Sequence, residues 1–249
     1  MLFRSVSQSR YQKEEAEKLN PNLRENSSKR YLPITGKANW VIDQKKKIGG
    51  HLNPVSLGRF GWKASSPSVE QQTLGALRGD LGVTNYLFKE ENIHGTSALE
   101  KYKSEFPQKF HENSNKTEAS DEVAADLVFY SQTLAVPSRR GINQEDVLAG
   151  MKYFNELKCA QCHQPIQKTG NHSISILENQ KIYPFTDLLL HDMGEGLADH
   201  RSDFLANGRE WRTPPLWGIG HTKVVNPMAG FLHDGRARTL EEALSWPVS

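Results

Sequence analysis

Both cysteines of this 249-residue chain fall within four positions, Cys159 and Cys162, and His163 follows the second directly. Two thiols two residues apart can each add to one of the two vinyl groups on one edge of a porphyrin. The next residue then projects an imidazole under the ring to hold the iron as an axial ligand. Cys-x-x-Cys-His is the attachment signature of c-type haem. Three other chemistries use paired cysteines. A thioredoxin-like redox pair sits at a helix N-terminus after a strand, where the thiolate is stabilised; here a helix-like segment precedes the cysteines. A structural zinc site takes four ligands, usually two such pairs, and the chain has no second pair. A simple disulfide gives His163 no part. The motif therefore reads as one covalent haem c on Cys159 and Cys162, with His163 as proximal iron ligand.

The segment before the motif fits that reading. Asn143 is a candidate N-cap, and Gln144, Glu145 and Asp146 supply the polar, acidic first turn that a helix dipole favours. Val147, Met151 and Phe154 recur at helical spacing, and Leu148 and Leu157 widen the stripe. Gly150 lies one turn before Phe154, where a small residue admits close helix approach.

Composition limits the remaining possibilities. Hydrophobic residues are 37% and charged residues 24%, polar for a globular chain but not the balance of a disordered one. Net charge is +2, and the longest basic run, Lys45-Lys46-Lys47, reads as a solvated loop rather than a nucleic-acid patch. No apolar run approaches the ~20 residues that span a bilayer. The first twenty residues show no apolar signal-peptide region.

Residues 1–35 are polar and read as an exposed or poorly ordered arm. Residues 36–66 are Gly-punctuated and loop-like, anchored by Trp40, Phe60 and Trp62. A short helix is expected over 68–78, begun by Ser68. Residues 92–119 read as a surface loop. A second helix is expected over 118–136, capped by Ser120, with Val123, Leu127, Tyr130 and Leu134 on one face. Pro137 to Gly141 make a linker. With no repeat and no sustained strand alternation, the expected fold is mainly α: a cytochrome c-like haem domain with long loops over 142–249, and part of a second such domain over 36–141.

Three loops after the motif carry embedded His, Asp and Arg between Gly and Pro: Tyr183 to Gly194, Trp211 to Gly218, and Phe231 to Ala237. Such loops are typical of segments wrapped around a cofactor. Together with Gly58-Arg59-Phe60-Gly61-Trp62-Lys63-Ala64, Asp80-Leu81-Gly82-Val83-Thr84, the haem motif and Thr239-Leu240-Glu241-Glu242-Ala243, they resemble the bacterial di-haem oxidoreductases. That family of thiol oxidoreductases or peroxidases is related to the di-haem cytochrome c peroxidases. The resemblance runs over roughly residues 36 to 246.

The resemblance implies a periplasmic protein of two cytochrome c-like domains with one haem each, one haem relaying electrons and the other meeting peroxide. The family's first haem motif falls upstream of Gly58, where this chain has no cysteine, so the chain resembles a fragment of such a protein. By position, Gln72 and Asp80 match the Gln and acidic residue over the peroxide-binding haem, and helix surface and turn cap are the plain alternatives. Trp62 matches an aromatic between haems, or a buried structural Trp. His233 is expected as a pocket hydrogen-bonding residue and Arg236 as a propionate partner. Counting on from His233 by the family's spacing lands on Pro247, which has no donor, so the distal ligand stays unassigned. The iron is then five-coordinate, or recruits Met228, Met193, His191 or His221, or the site is incomplete because the chain is a fragment; Met193, in a motif the family shares, reads as structural. The resemblance also admits calcium, although no acidic loop marks a site. The implied partners are an electron-donor protein or a second haem domain. The leading function is a c-type haem oxidoreductase of peroxidase type; a non-enzymatic electron-transfer cytochrome and an inactive fragment are the alternatives.

Overall fold

A computed structural model describes residues 36–93, 95–107 and 116–246. The arm expected over 1–35 and the position of Pro247 lie outside the described residues. The described chain forms two compact units interleaved in sequence, one of residues 43–54 and 68–134, the other of 36–42, 55–67 and 135–246.

The first unit is helical. Helix α1 (Gln44–Ile48) is capped by the Asp43 carboxylate, which accepts from the Lys46 N–H at 3.2 Å, so the expected loop at Lys45 to Lys47 is the end of a short helix. Helix α2 (Val69–Leu81) starts where expected, with Ser68 Oγ accepting from the Gln71 N–H at 3.1 Å. It runs three residues further than expected and stops at Gly82, whose φ of 72° is the left-handed cap glycine supplies without strain. Helix α3 (Ser97–Glu105) lies inside the stretch expected to be loop; Thr96 caps it, Lys103 pairs with Glu100, and Leu99 is buried. Helix α4 (Asp121–Thr133) is capped by Ser120.

The α2 and α4 helices enclose a core of Leu74, Leu87, Ala124 and Val128, flanked by Leu77, Tyr86 and Phe88. The inward face of α4 is thus not the expected one: Val123, Tyr130 and Leu134 are exposed. The buried Asn85 closes the connecting turn, its Nδ2 donating to the Leu74 carbonyl at 3.1 Å and its Oδ1 accepting from Leu87 and Phe88.

The second unit is built on short antiparallel pairs. Strand β1 (Trp40–Ile42) pairs with β2 (Val55–Leu57), β3 (Gln167–Lys168) with β4 (Lys181–Ile182), and β5 (Leu190–Asp192) with β6 (Glu210–Arg212). Lys37 exchanges two backbone hydrogen bonds of 2.8 Å with Leu190, tying the segment before β1 to β5. Buried Asn39 donates to the carbonyls of Lys63 and Asp203 and accepts from the Leu205 N–H. Leu190, Ala64 and Ala206 form a small apolar cluster. Three helices complete the unit: α5 (Glu145–Glu156), α6 (Thr222–Val225) and α7 (Leu240–Ser245).

A mainly α fold is not what forms: seven α-helices, two of them five residues or shorter, share the described chain with three two-stranded sheets and long irregular segments. The physical reason is visible in the second unit, where loops satisfy buried backbone groups by brief cross-pairing. Strands of two or three residues are too short to show alternation in the sequence. Among the described residues, no helix is long and apolar enough to cross a membrane.

Candidate haem site

Helix α5 leads directly into the cysteines. Gln144, not Asn143, is its cap, and Lys158 takes a left-handed φ of 62° to end it. A 3-10 turn follows over Cys159–Gln161, and the His163 N–H donates to the Cys159 carbonyl at 2.9 Å. One tight turn therefore carries both thiols and the imidazole. Both thiols are free and half-buried.

His163 is held from behind. Its Nδ1–H donates to the Phe185 carbonyl at 3.0 Å, which fixes the tautomer and leaves the Nε2 lone pair for a metal. Burial lowers the His163 pKa, outweighing the opposing Phe185 hydrogen bond and the Asp187 charge, so the ring stays neutral as a ligand must.

The loop that supplies this carbonyl is unusual in its backbone. Phe185 and Leu188 have φ of 54° and 61°, a region costly for residues with a Cβ, at about 1–3 kcal/mol each. Hydrogen bonds hold the loop there. The Thr186 and Asp187 N–H groups donate to the Gln164 and Cys162 carbonyls, both at 2.9 Å, and Thr186 Oγ1 donates to the Thr213 carbonyl at 2.6 Å. The Asp187 carboxylate accepts from the Leu189 N–H at 3.0 Å with Oδ1 and from His191 Nε2–H at 2.8 Å with Oδ2. On its other side, His191 Nδ1 lies 3.7 Å from Cys162 Sγ. Burial disfavours a charge on His191, but the hydrogen bonds to Asp187 and Cys162 prevail and raise its pKa to about 10.

Phe154, on α5, meets Phe185 edge to face, with ring centroids 5.6 Å apart. Both rings line a cavity of about 610 Å3, with the Arg139, Arg140 and His221 side chains also in its wall. The Arg139 guanidinium lies over the Phe185 and Tyr183 rings at 5.4 and 5.9 Å. Cys159, Cys162 and His163 do not line this cavity themselves; His163 is joined to its wall by the hydrogen bond to the Phe185 carbonyl.

The other expected site residues are placed as follows. Gln72 and Asp80 are exposed on α2, in the helical unit. His233 stacks on Trp211 with centroids 3.5 Å apart and planes 16° from parallel, and Lys63 covers the indole at 4.1 Å. The Arg236 guanidinium is engaged by Asp234 and the Gly196 carbonyl and lies over the Trp246 ring. Trp62 is exposed. Of the distal-ligand candidates, Met228 is 89% exposed, His191 is bound to Asp187, and His221 faces the cavity. The contacts around the motif that sequence reasoning missed are those of the Phe185 carbonyl with His163 and of the Asp187 carboxylate with His191. Asp187 had one available signal, a charged residue directly before the apolar run Leu188-Leu189-Leu190.

The residues present fit a covalently attached haem: two free thiols and a neutral imidazole with Nε2 available share one turn. Among the described residues, no three His, Cys, Asp or Glu side chains converge as ligands for a bare metal ion, calcium included. Comparison with known proteins agrees in kind. Residues 14–248, nearly the whole chain, match the family described as "di-haem oxidoreductase, putative peroxidase". The chain belongs to this di-haem oxidoreductase family. No curated protein and no solved structure matches it.

Proposed function

We propose that the chain is a c-type haem oxidoreductase of peroxidase type, acting in the periplasm and passing electrons through one haem joined to Cys159 and Cys162. The observation that carries this reading is the His163 imidazole, held at Nδ1 by the Phe185 carbonyl and carried on one turn with two free thiols. When bound, haem would supply an iron that exchanges single electrons and can react with peroxide. The chain's part is to fix that group. Cys159 and Cys162 anchor one edge of the ring, and His163 Nε2 holds the iron. The Phe185 carbonyl keeps the imidazole oriented and raises its donor strength. Arg236 is assigned to a haem propionate and His233 to the haem pocket by family resemblance. Gln72 and Asp80 are assigned to peroxide handling on the same basis. The electron donor is an external redox protein or a second haem domain.

Expression in a periplasm with haem-attachment machinery, followed by a pyridine haemochrome assay, tests the reading. The expected result is one haem per chain, with covalent haem sharply reduced by Cys159→Ala. A chain that gains no covalent haem would overturn it. On the haem-bearing protein, reaction with hydrogen peroxide supports the peroxidase assignment, whereas a six-coordinate low-spin iron inert to peroxide would identify an electron carrier.

A further inference from the structure

The haem motif has two sulfurs, and the fold treats them differently. Cys162 Sγ lies 3.7 Å from His191 Nδ1. The far nitrogen of that imidazole donates to Asp187 Oδ2 at 2.8 Å, and both residues are buried, at 8% and 2% exposure. Asp187 is itself immobilised, its carboxylate accepting from the Leu189 N–H and its backbone N–H donating to the Cys162 carbonyl. The geometry is closed: the residue that orients the imidazole is hydrogen-bonded to the backbone of the cysteine whose sulfur the imidazole meets. Cys159 has no comparable side-chain partner among the described residues. A buried ion pair is weak grounds for stability in itself, because desolvation consumes much of its attraction. Its aim at one of two otherwise similar sulfurs needs a different reason.

We infer that His191, clamped by Asp187, is the positioning residue for the Cys162 sulfur, setting Sγ toward its vinyl carbon and holding the thioether sulfur afterwards. The inference rests on the covalent-haem reading above. In the attachment step the Cys162 S–H adds across a vinyl double bond. Sulfur bonds to the carbon next to the ring, the hydrogen ends on the terminal carbon, and the π bond is lost. No electron is gained or lost, so the addition itself needs no oxidant. Positioning acts on such a step by confining the sulfur to one direction of approach. The clamp also predicts unequal cysteines: attachment at Cys162 depends on His191, and attachment at Cys159 does not.

The test is haem loading of the wild-type chain and of His191→Leu, His191→Gln and Asp187→Asn in the same periplasmic system. Tryptic peptides are then read for alkylatable Cys159 and Cys162, and the haemochrome band for one or two thioethers. Wild type should carry both. His191→Leu and Asp187→Asn should raise the fraction of haem-bearing chains with free Cys162 about tenfold, the size of one lost hydrogen bond to a charged group, with Cys159 still bonded. His191→Gln, which keeps a polar side chain, should recover part of the loss. If His191→Leu does not fold, the Gln and Asn variants decide by the same peptide ratio. Equal loss at both cysteines in a folded variant, or no loss at either, overturns the inference. Absence of haem from the wild type would instead remove the covalent-haem reading itself.

Discussion

The Asp187–His191 pair sets a pH dependence whose sign is fixed. The folded chain holds the His191 pKa at about 10, whereas an unfolded imidazole titrates near 6.5. A raised folded-state pKa means that the bound proton favours folding. The contribution is fully present below about pH 6.5 and is lost as pH rises through about 10. Part of the shift comes from the Cys162 thiol, so it applies to the haem-free chain. Urea unfolding of haem-free wild type and Asp187→Asn should differ most on the acid side of neutrality and converge at strongly alkaline pH. A gap that widens with pH would contradict the pairing. At this scale the sequence reveals identity but not partnership. Cys159, Cys162 and His163, the proposed haem residues, stand out because the motif's spacing is local. The Phe185 carbonyl does not, since every residue has one, and only a left-handed backbone 22 residues away aims this one at His163.

Elements were legible where local chemistry bounds them. Ser68 opens α2 and Ser120 opens α4 as expected, because cap hydrogen bonds act within a turn, whereas the left-handed stop at Gly82 lies past the expected end at residue 78. The inward face of α4 was not legible. Val123, Phe129 and Tyr130, with Leu134 just past its end, are exposed, while Ala124 and Val128 face Leu74. A narrow side chain at Ala124 lets α2 approach closely, and contact with a neighbour decides burial where side-chain size suggests the opposite. Helix α3 was missed because its seven polar residues, Ser97, Glu100, Lys101, Tyr102, Lys103, Ser104 and Glu105, leave only Leu99 to mark a buried side. The packing gives a paired prediction. Leu74→Ala opens a void in the α2–α4 core and should cost about 2–5 kcal/mol, whereas Val123→Ala, on the exposed face, should stay within about 0.5 kcal/mol. Chemical denaturation followed by far-UV circular dichroism measures both. Comparable losses would mean that Val123 is buried and the α4 face is misassigned.

Across the whole molecule, the division of labour between the two units follows from which residues reach the motif. The two thiols, His163, Phe185, Asp187 and His191 all belong to the sheet-bearing unit, and the α2–α4 core supplies none of these groups. A group that binds only the folded state stabilises what it binds by mass action, and a covalent bond makes that gain independent of concentration. Local opening then becomes costlier only in the cooperative segment that contains the contacts. Hydrogen–deuterium exchange of the haem-bearing chain against the Cys159→Ala, Cys162→Ala double variant should therefore show new protection at Pro184 to Asp192 and across β6. Amides of α2 and α4 should exchange at the same rate in both proteins. The strongest gain should fall at the Thr186 and Asp187 amides, which donate to the motif's own turn at Gln164 and Cys162. If protection rises equally in α2 and α4, the units open as one body, and haem attachment stabilises the whole chain.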